Sequence, residues 1–326
     1  MGMRNITIFF GIFLAGGLSG AFLFSQFHTD PDISNSKQVR QMGDYEFVNP
    51  LLECEVAEGV IDARKENFQS DLEIFSDQLK RDRKLTDIGI YFRDLNNGPT
   101  FGVHQEDGFF PASLLKVPVM MVYYHLSEVR PGIFEQKVLY EAPKELGITP
   151  SIIPRESLVP GTEYEVGELI RRMIVYSDNQ ALLLLLSRMP AGSIENLFQM
   201  LGVSEDVIQN SEGQLSVKEY AGFFRILFNS SFLSHENSEK ALKLLSETDY
   251  NDAIPAGIPN GIKVSHKFGE AGTGNIDRQL HDCGIVYFPD HPYLLCVMTR
   301  GKKPEDLRKT IVDISSFVYA KIDEQY

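Results

Sequence analysis

An α/β fold of the α+β kind is what the sequence predicts: an antiparallel sheet drawn from both chain ends, flanked by helices, with an all-helical lobe inserted between its strands. Three observations lead there. Two short strand patterns, Asp87–Asp94 and Thr100–His104, are joined by the turn Leu95-Asn-Asn-Gly-Pro99. Three more strand patterns, Ile262–His266, His281–Phe288 and Tyr293–Thr299, come near the C-terminus, the last two joined by Pro289-Asp-His-Pro292. Between the two groups lie only helical patterns and loops, and an amphipathic pattern, Pro304–Ile322, closes the chain. Strands paired by short turns disfavour a doubly wound parallel sheet, whose crossovers are long.

In chain order, Ile6–Phe27 gives 22 positions without a charge, preceded by Arg4. That length spans a bilayer as a helix, with the basic end left in the cytoplasm. Residues 1–27 are therefore read as an uncleaved, single-pass anchor in the cell membrane, with the rest of the chain outside the cytoplasm. The rival reading is a cleaved signal peptide, which needs a shorter apolar run and a small-x-small site that Phe24-Ser-Gln-Phe27 does not offer. Residues 28–60 are polar and aperiodic and read as a tether, within which Phe47–Cys54 is apolar enough to pack back on the main body. Residues 61–326 form the folded domain.

Ala63–Arg83 has helical spacing, through Phe68, Leu72, Phe75 and Leu79. Val138–Glu163 is rich in proline and glycine and reads as a loop over the site. Helices are expected at Val166–Tyr176, Ala181–Met189, Ser193–Leu201 and Ser238–Glu247. Ser216-Val-Lys-Glu219 is a capping box that starts another over Val217–Phe228. Hydrophobic residues make up 43% and charged residues 23%, which suits a packed core. A net charge of −14 argues against nucleic acid as a partner. Cysteine and histidine spacings offer no metal-ligand set, and no cofactor motif is present. Of three cysteines, Cys283 and Cys296 fall on neighbouring strands, where a bridge can form outside the cell; they are read as small buried apolar residues.

The chemistry concentrates in three places. Ser113 and Lys116 stand three apart at the start of an apolar helix (Phe110–Glu128), where i and i+3 share a face. A neutral lysine amine there can take the serine proton and make a nucleophile; the bland alternative is a capping serine and a lysine reaching to water. Tyr176-Ser177-Asp178-Asn179 is a polar run between two apolar helical segments, to be satisfied or used. Its bland reading is a capped helix junction. Lys267-Phe268-Gly269 follows the strand pattern at Val264, and says little alone.

Taken in order, with 61 residues from Lys116 to Ser177 and 88 from Asn179 to Lys267, the set Ser-x-x-Lys, Ser-Asp-Asn, Lys-x-Gly resembles that of class A β-lactamases and penicillin-binding proteins. The resemblance runs from about Asp87 to Tyr319. It implies the β-lactamase/transpeptidase-like fold, a site between the sheet and the helical lobe, and an acyl-enzyme on Ser113. It further implies Lys116 as base or proton relay, with Lys267 helping to keep it neutral, and Ser177 as shuttle to the leaving nitrogen. Asn179 would position Lys116 and the substrate side chain. Lys267 and Gly269 would lie along the substrate, with Lys267 drawing a carboxylate and Arg278 a second candidate for that group. The oxyanion donors would be the backbone N–H groups of Ser113 and Glu270. His266, His281 and Asp282 are read as packing, capping or pairing residues.

Two departures qualify the resemblance. Phe268 stands where the family usually has Ser or Thr. Only 14 residues, Gly202–Leu215, precede the capping box, so the glutamate that activates the deacylating water has no clear counterpart; Glu212 is the nearest match and Glu205 the other acidic option. Three functions follow: a β-lactam hydrolase with slow deacylation, a cell-wall D,D-peptidase or other acyl hydrolase that β-lactams acylate, and a non-catalytic penicillin sensor. The partners expected are a small-molecule β-lactam or a cell-wall peptide, and the membrane through the N-terminal helix.

Overall fold

A computed structural model describes residues 45–49, 63–96, 99–143, 155–203, 213–272 and 277–326. The apolar run 6–27, most of the tether, Cys54, Glu205 and Glu212 lie outside the described residues. Among the described residues, no helix is long and apolar enough to cross a membrane.

The sheet is closed by the two ends of the chain, as expected. Strands β1 (Asp87–Asp94) and β2 (Thr100–Val103) form a hairpin, and β1 pairs along its whole length with the last strand of the chain, Tyr293–Gly301. Two further strands complete an antiparallel order in which the hairpin edge faces away from the site: β2, β1, Tyr293–Gly301, Arg278–Val286, Val264–Ala271. Alternation sorts the side chains into two cores. Ile90, Phe92, Leu295 and Val297 meet Phe68 and Leu72 of α1 (Ala63–Arg83) and Ile311 and Ile314 of the closing helix Pro304–Asp323. Tyr91, Cys296 and Met298 face the opposite way, into the core shared with the helical lobe.

A short strand, β3 (Gly108–Phe109), leads through a 3₁₀ turn (Ala112–Leu115) into α2 (Lys116–Val129). The hairpin β4 (Lys137–Tyr140) and β5 (Thr162–Glu165) precedes α3 (Val166–Val175), α4 (Asn179–Arg188) and α5 (Ser193–Met200). Strand β6 (Leu215–Ser216) pairs with β3 and opens α6 (Val217–Phe228), whose capping box is formed as expected. Then come α7 (His235–Ser246), β7 (Val264–Ala271), β8 (Arg278–Val286), β9 (Tyr293–Gly301) and α8 (Pro304–Asp323).

Several expectations need correction. The stretch 138–163 is not all loop, because its two ends pair as β4 and β5, a long-range match that composition does not reveal. Strand β7 does not stop at His266. Its pairing with β8 continues to Ala271, so Lys267 and Gly269 lie inside a strand. Equally, β8 begins at Arg278, which makes His281 and Asp282 interior and fully buried rather than strand-opening. Cys283 and Cys296 are opposite one another in the β8–β9 register, with Cα atoms 4.0 Å apart, and are joined as a disulfide. They are buried, as read, but they are not free thiols.

Part of the tether is built into the domain. Phe47 and Val48 are buried, and the N–H groups of Glu46, Phe47 and Val48 all donate to the Glu239 carboxylate on α7, at 2.8, 2.7 and 3.1 Å. The phenol of Tyr287 donates to the Phe47 carbonyl at 3.1 Å, which pins this segment to β8's following residue as well.

Candidate active site

The serine turn departs from a simple helix start. Ala112 has φ of 50°, a left-handed conformation that costs a non-glycine residue energy and that surrounding structure must enforce. Ser113 lies in the 3₁₀ turn, and Lys116 opens α2. Lys116 Nζ stands 2.9 Å from Ser113 Oγ, so the i, i+3 reach expected from the sequence is made.

Lys116 is completely buried, among oxygens. Its amine lies 2.6 Å from the Ser177 carbonyl, 2.9 Å from Ser177 Oγ and 2.6 Å from Asn179 Oδ1. The carbonyl and the amide oxygen can only accept. They take both N–H groups of a neutral amine, which leaves its lone pair for a hydroxyl hydrogen. Burial pushes Lys116 down to about 7, against the upward pull of the Asp178 carboxylate. Desolvation is thus the largest cause of the lowered value at Lys116.

Each residue of the Ser-Asp-Asn run has its own task. Ser177 takes φ of 54°, which turns the chain so that its carbonyl and hydroxyl both reach Lys116. Asp178 caps α4, accepting the N–H groups of Gln180 and Ala181 at 2.7 and 3.1 Å. Asn179 is the first residue of α4 and turns its amide to Lys116. So the bland capping reading is right for Asp178, while its two neighbours are held at the amine.

From the other side, β7 brings Lys267 Nζ to 3.0 Å from Ser177 Oγ. Lys267 is fully buried too and held well below the usual ammonium range, first by burial and then by the charge of Lys116, with Asp282 pulling the other way. Two amines thus converge on one hydroxyl, and they titrate as a pair. Glycine at 269 has a packing reason: a Cβ there would stand 2.8 Å from both the Pro111 carbonyl oxygen and Leu114 Cγ. Only a bare backbone lets β7 come this close to the serine turn.

A sequence profile of the beta-lactamase enzyme family matches residues 74–322, three quarters of the chain. The chain belongs to that family. It is a serine hydrolase of the β-lactamase class, with the sheet-and-helix fold of that class. Among solved structures, PBP-A is similar at a TM-score of 0.66 and 22% identity, covering 78% of this chain and 97% of that one. A variant of PBP-A, as an acyl-enzyme complex with penicillin G, gives 0.65, 22%, and 79% and 97%. A class A beta-lactamase from Mycobacterium abscessus gives 0.65 at 20% identity, covering 77% and 99%. No curated protein matches the chain in sequence.

The remaining predicted residues of this β-lactamase-family site are distributed as follows. Glu270 follows Gly269 on β7, so its backbone runs on from the point of close approach to the serine turn. Arg278 is the first residue of β8, opposite Gly301. Phe268 is buried in neither apolar core; its ring centroid lies 4.2 Å from that of Tyr250 and 3.9 Å from Lys267 Nζ. Glu212 lies outside the described residues. Among the described residues, no group of His, Cys, Asp and Glu is placed to hold a metal ion.

Sequence reading missed Tyr220, which holds the turn, whereas His266 and Asp282 pack and pair as read. The phenol of Tyr220, on α6, donates to the Leu114 carbonyl at 3.0 Å from a fully buried position. The signal for it was the capping box, which fixes where α6 starts. The buried pair of His266 Nδ1 and Asp282 Oδ1, at 2.8 Å, lies on β7 and β8, and Asp282 Oδ2 also accepts the Ile254 N–H at 2.9 Å. It ties the strand carrying Lys267 to its neighbour and to the 3₁₀ turn Ile254–Gly257.

Proposed function

We propose that the protein opens β-lactam rings through an acyl-enzyme on Ser113. The observation that carries this is the Lys116 amine, buried and pushed to about 7, at 2.9 Å from Ser113 Oγ with both its N–H groups engaged elsewhere. The lone pair takes the hydroxyl proton as Oγ attacks the cyclic amide carbonyl. Ser177 Oγ, 2.9 Å from Lys116 and 3.0 Å from Lys267, passes a proton to the leaving nitrogen. The N–H groups of Ser113 and Glu270 receive the developing oxyanion, and loss of such a donor costs about 3–4 kcal/mol. Asn179, Lys267, Gly269 and Arg278 line the acyl donor.

Deacylation is slow in this reading, because the 14-residue segment Gly202–Leu215 carries no clear counterpart of the glutamate that activates water. The same shortness favours a second reading, a cell-wall D,D-peptidase or other acyl transferase that β-lactams acylate. A non-catalytic penicillin sensor ranks last. Penicillin G added to the full chain should give one equivalent of adduct on Ser113, followed over time by intact mass and peptide mapping, and then slow hydrolysis. Absence of the adduct sinks the proposal. Steady turnover above about 10 s⁻¹, a usual enzyme value, that collapses in Glu212→Gln makes Glu212 an efficient deacylating base instead. Faster release of D-alanine from a D-Ala-D-Ala peptide than hydrolysis of penicillin selects the peptidase.

The 22-residue uncharged run at 6–27 supports a membrane anchor with the domain outside the cytoplasm. Fractionation and protease shaving of intact cells check it: soluble, protected protein removes both the anchor and the topology.

A further inference from the structure

The segment that delivers Ser113 is held by side chains that the acylation chemistry does not use. Phe110 lies three residues before Ser113, and both of its backbone polar groups end on β8. Its N–H donates to Gln279 Oε1 at 3.0 Å, and its carbonyl accepts from His281 Nε2 at 3.1 Å. On the far side of the imidazole, the backbone N–H of Thr299 on β9 donates to Nδ1 at 3.3 Å. Nδ1 therefore carries no hydrogen, and Nε2 carries the one given to Phe110. A single neutral tautomer satisfies the ring inside a fully buried position. Burial pushes His281 down to about 3, opposed by its bond to the Phe110 carbonyl and helped by the charge of Arg300, so the bonding holds throughout the neutral range.

The residues just upstream are laid on the sheet in the same way. The Phe109 ring stands edge-on to His281 and under the Arg300 guanidinium, which also donates to the Gly108 carbonyl at 2.9 Å. Downstream, little freedom is left before the serine. Pro111 has φ of −69°, and Ala112 sits in its left-handed conformation.

The geometry points to Gln279 and His281 as positioning residues for the nucleophile: by fixing both sides of the Phe110 backbone they set, through Pro111 and Ala112, where the Ser113 hydroxyl stands relative to Lys116 Nζ. This rests on the reading of Ser113 as the nucleophile. Neither side chain touches Ser113 or Lys116 in a hydrogen bond, so their removal acts on the rate of acylation rather than on the binding of the acyl donor.

The test uses the full chain with Gln279→Met, which keeps length and loses the acceptor, and Gln279→Glu, which keeps an acceptor. Gln279 is only half-buried, so both variants are suited to folding; His281→Gln is the companion on the carbonyl side. Labelling by a fluorescent penicillin is followed against concentration, and amide hydrogen exchange is measured over residues 108–115. Gln279→Met and His281→Gln should lower the limiting acylation rate by about tenfold or more, since an ångström of misplacement can cost about a hundredfold. The half-saturating concentration should stay within about twofold, and Gln279→Glu should recover most of the rate. Exchange over 108–115 should rise in Gln279→Met. A limiting rate unchanged in folded Gln279→Met, or unchanged exchange there, overturns the clamp. If wild-type protein is not labelled at Ser113, the nucleophile assignment fails instead, and the exchange measurement still decides whether Phe110 is held.

Discussion

Lys116 and Lys267 meet at one oxygen, Ser177 Oγ, at 2.9 and 3.0 Å, yet their surroundings differ in kind. Lys116 comes from a helix start and is enclosed by four oxygens. Lys267 comes from the middle of an edge strand and is covered by the ring of Phe268, 3.9 Å away. Both amines lose hydration on burial, and each has a carboxylate working to restore its proton, Asp178 for Lys116 and Asp282 for Lys267, but Lys267 also meets the like charge of Lys116. Lys116 thus changes protonation near neutral pH, while burial and the charge of Lys116 hold Lys267 well below the usual ammonium range. The same residue type can therefore serve as a proton acceptor in one place and as a fixed polar contact in the other. What separates them is burial together with the like charge of Lys116, which bears on Lys267.

The largest expected effects separate these two roles. Ser113→Ala should abolish labelling by a fluorescent penicillin. Lys116→Ala should slow it by about 10²–10⁴-fold, the range for loss of a general base. Lys267→Ala removes one hydrogen bond to Ser177 Oγ and should cost about tenfold, the weight of such a bond. Stopped-flow labelling rates measured side by side decide the matter. Equal losses in the two lysine variants would erase the distinction.

What could be read from the sequence was whatever chemistry requires locally. Ser113, Lys116, Ser177 and Asn179 converge on one amine, as the resemblance carried by the order of the motifs implied. The bounds of α1 and β1 fell as read, since amphipathic spacing and turn residues are local signals. Pairing was not legible. Whether β7 ends at His266 or carries Lys267 and Gly269 onward depends on Arg278–Val286 lying beside it, about which the local glycine gives the wrong hint. The union of Cys283 with Cys296 follows from a register set by two strands at once. The left-handed conformations of Ala112 and Ser177 are imposed by packing on residues that do not favour them, so propensity argues against both.

A pH profile sharpens the contrast further. Lys116 accepts a proton only when neutral, and its value lies at about 7, so acylation should rise with pH through a midpoint near there and fall away in acid. Asp178 holds that value up. Asp178→Asn keeps a good helix cap and removes the charge, so the midpoint should move to lower pH and the rate in mild acid should rise, by a few-fold. Initial labelling rates between pH 5 and 9 are the measurement. A midpoint that moves upward, or one that tracks Lys267→Ala rather than Asp178→Asn, would place the titrating amine on β7.

The smallest effect concerns the ring that covers Lys267. Phe268→Thr places a hydroxyl beside the amine and opens room at that end of the site. One added hydrogen bond to a substrate carboxylate is worth about 0.5–1.5 kcal/mol, so KM for penicillins should fall by about two- to tenfold while kcat is unchanged. The gain comes at the expense of folding. The Phe268 ring is buried against Tyr250, and truncating a buried phenylalanine costs up to about 3–5 kcal/mol. Melting temperature and KM should therefore fall together. Phe268→Leu separates space from hydroxyl, since it relieves the ring without supplying a donor. If Phe268→Leu lowers KM as far as Phe268→Thr does, room alone is responsible, and the hydroxyl has no part. If KM rises in Phe268→Thr, the ring itself contacts the acyl donor.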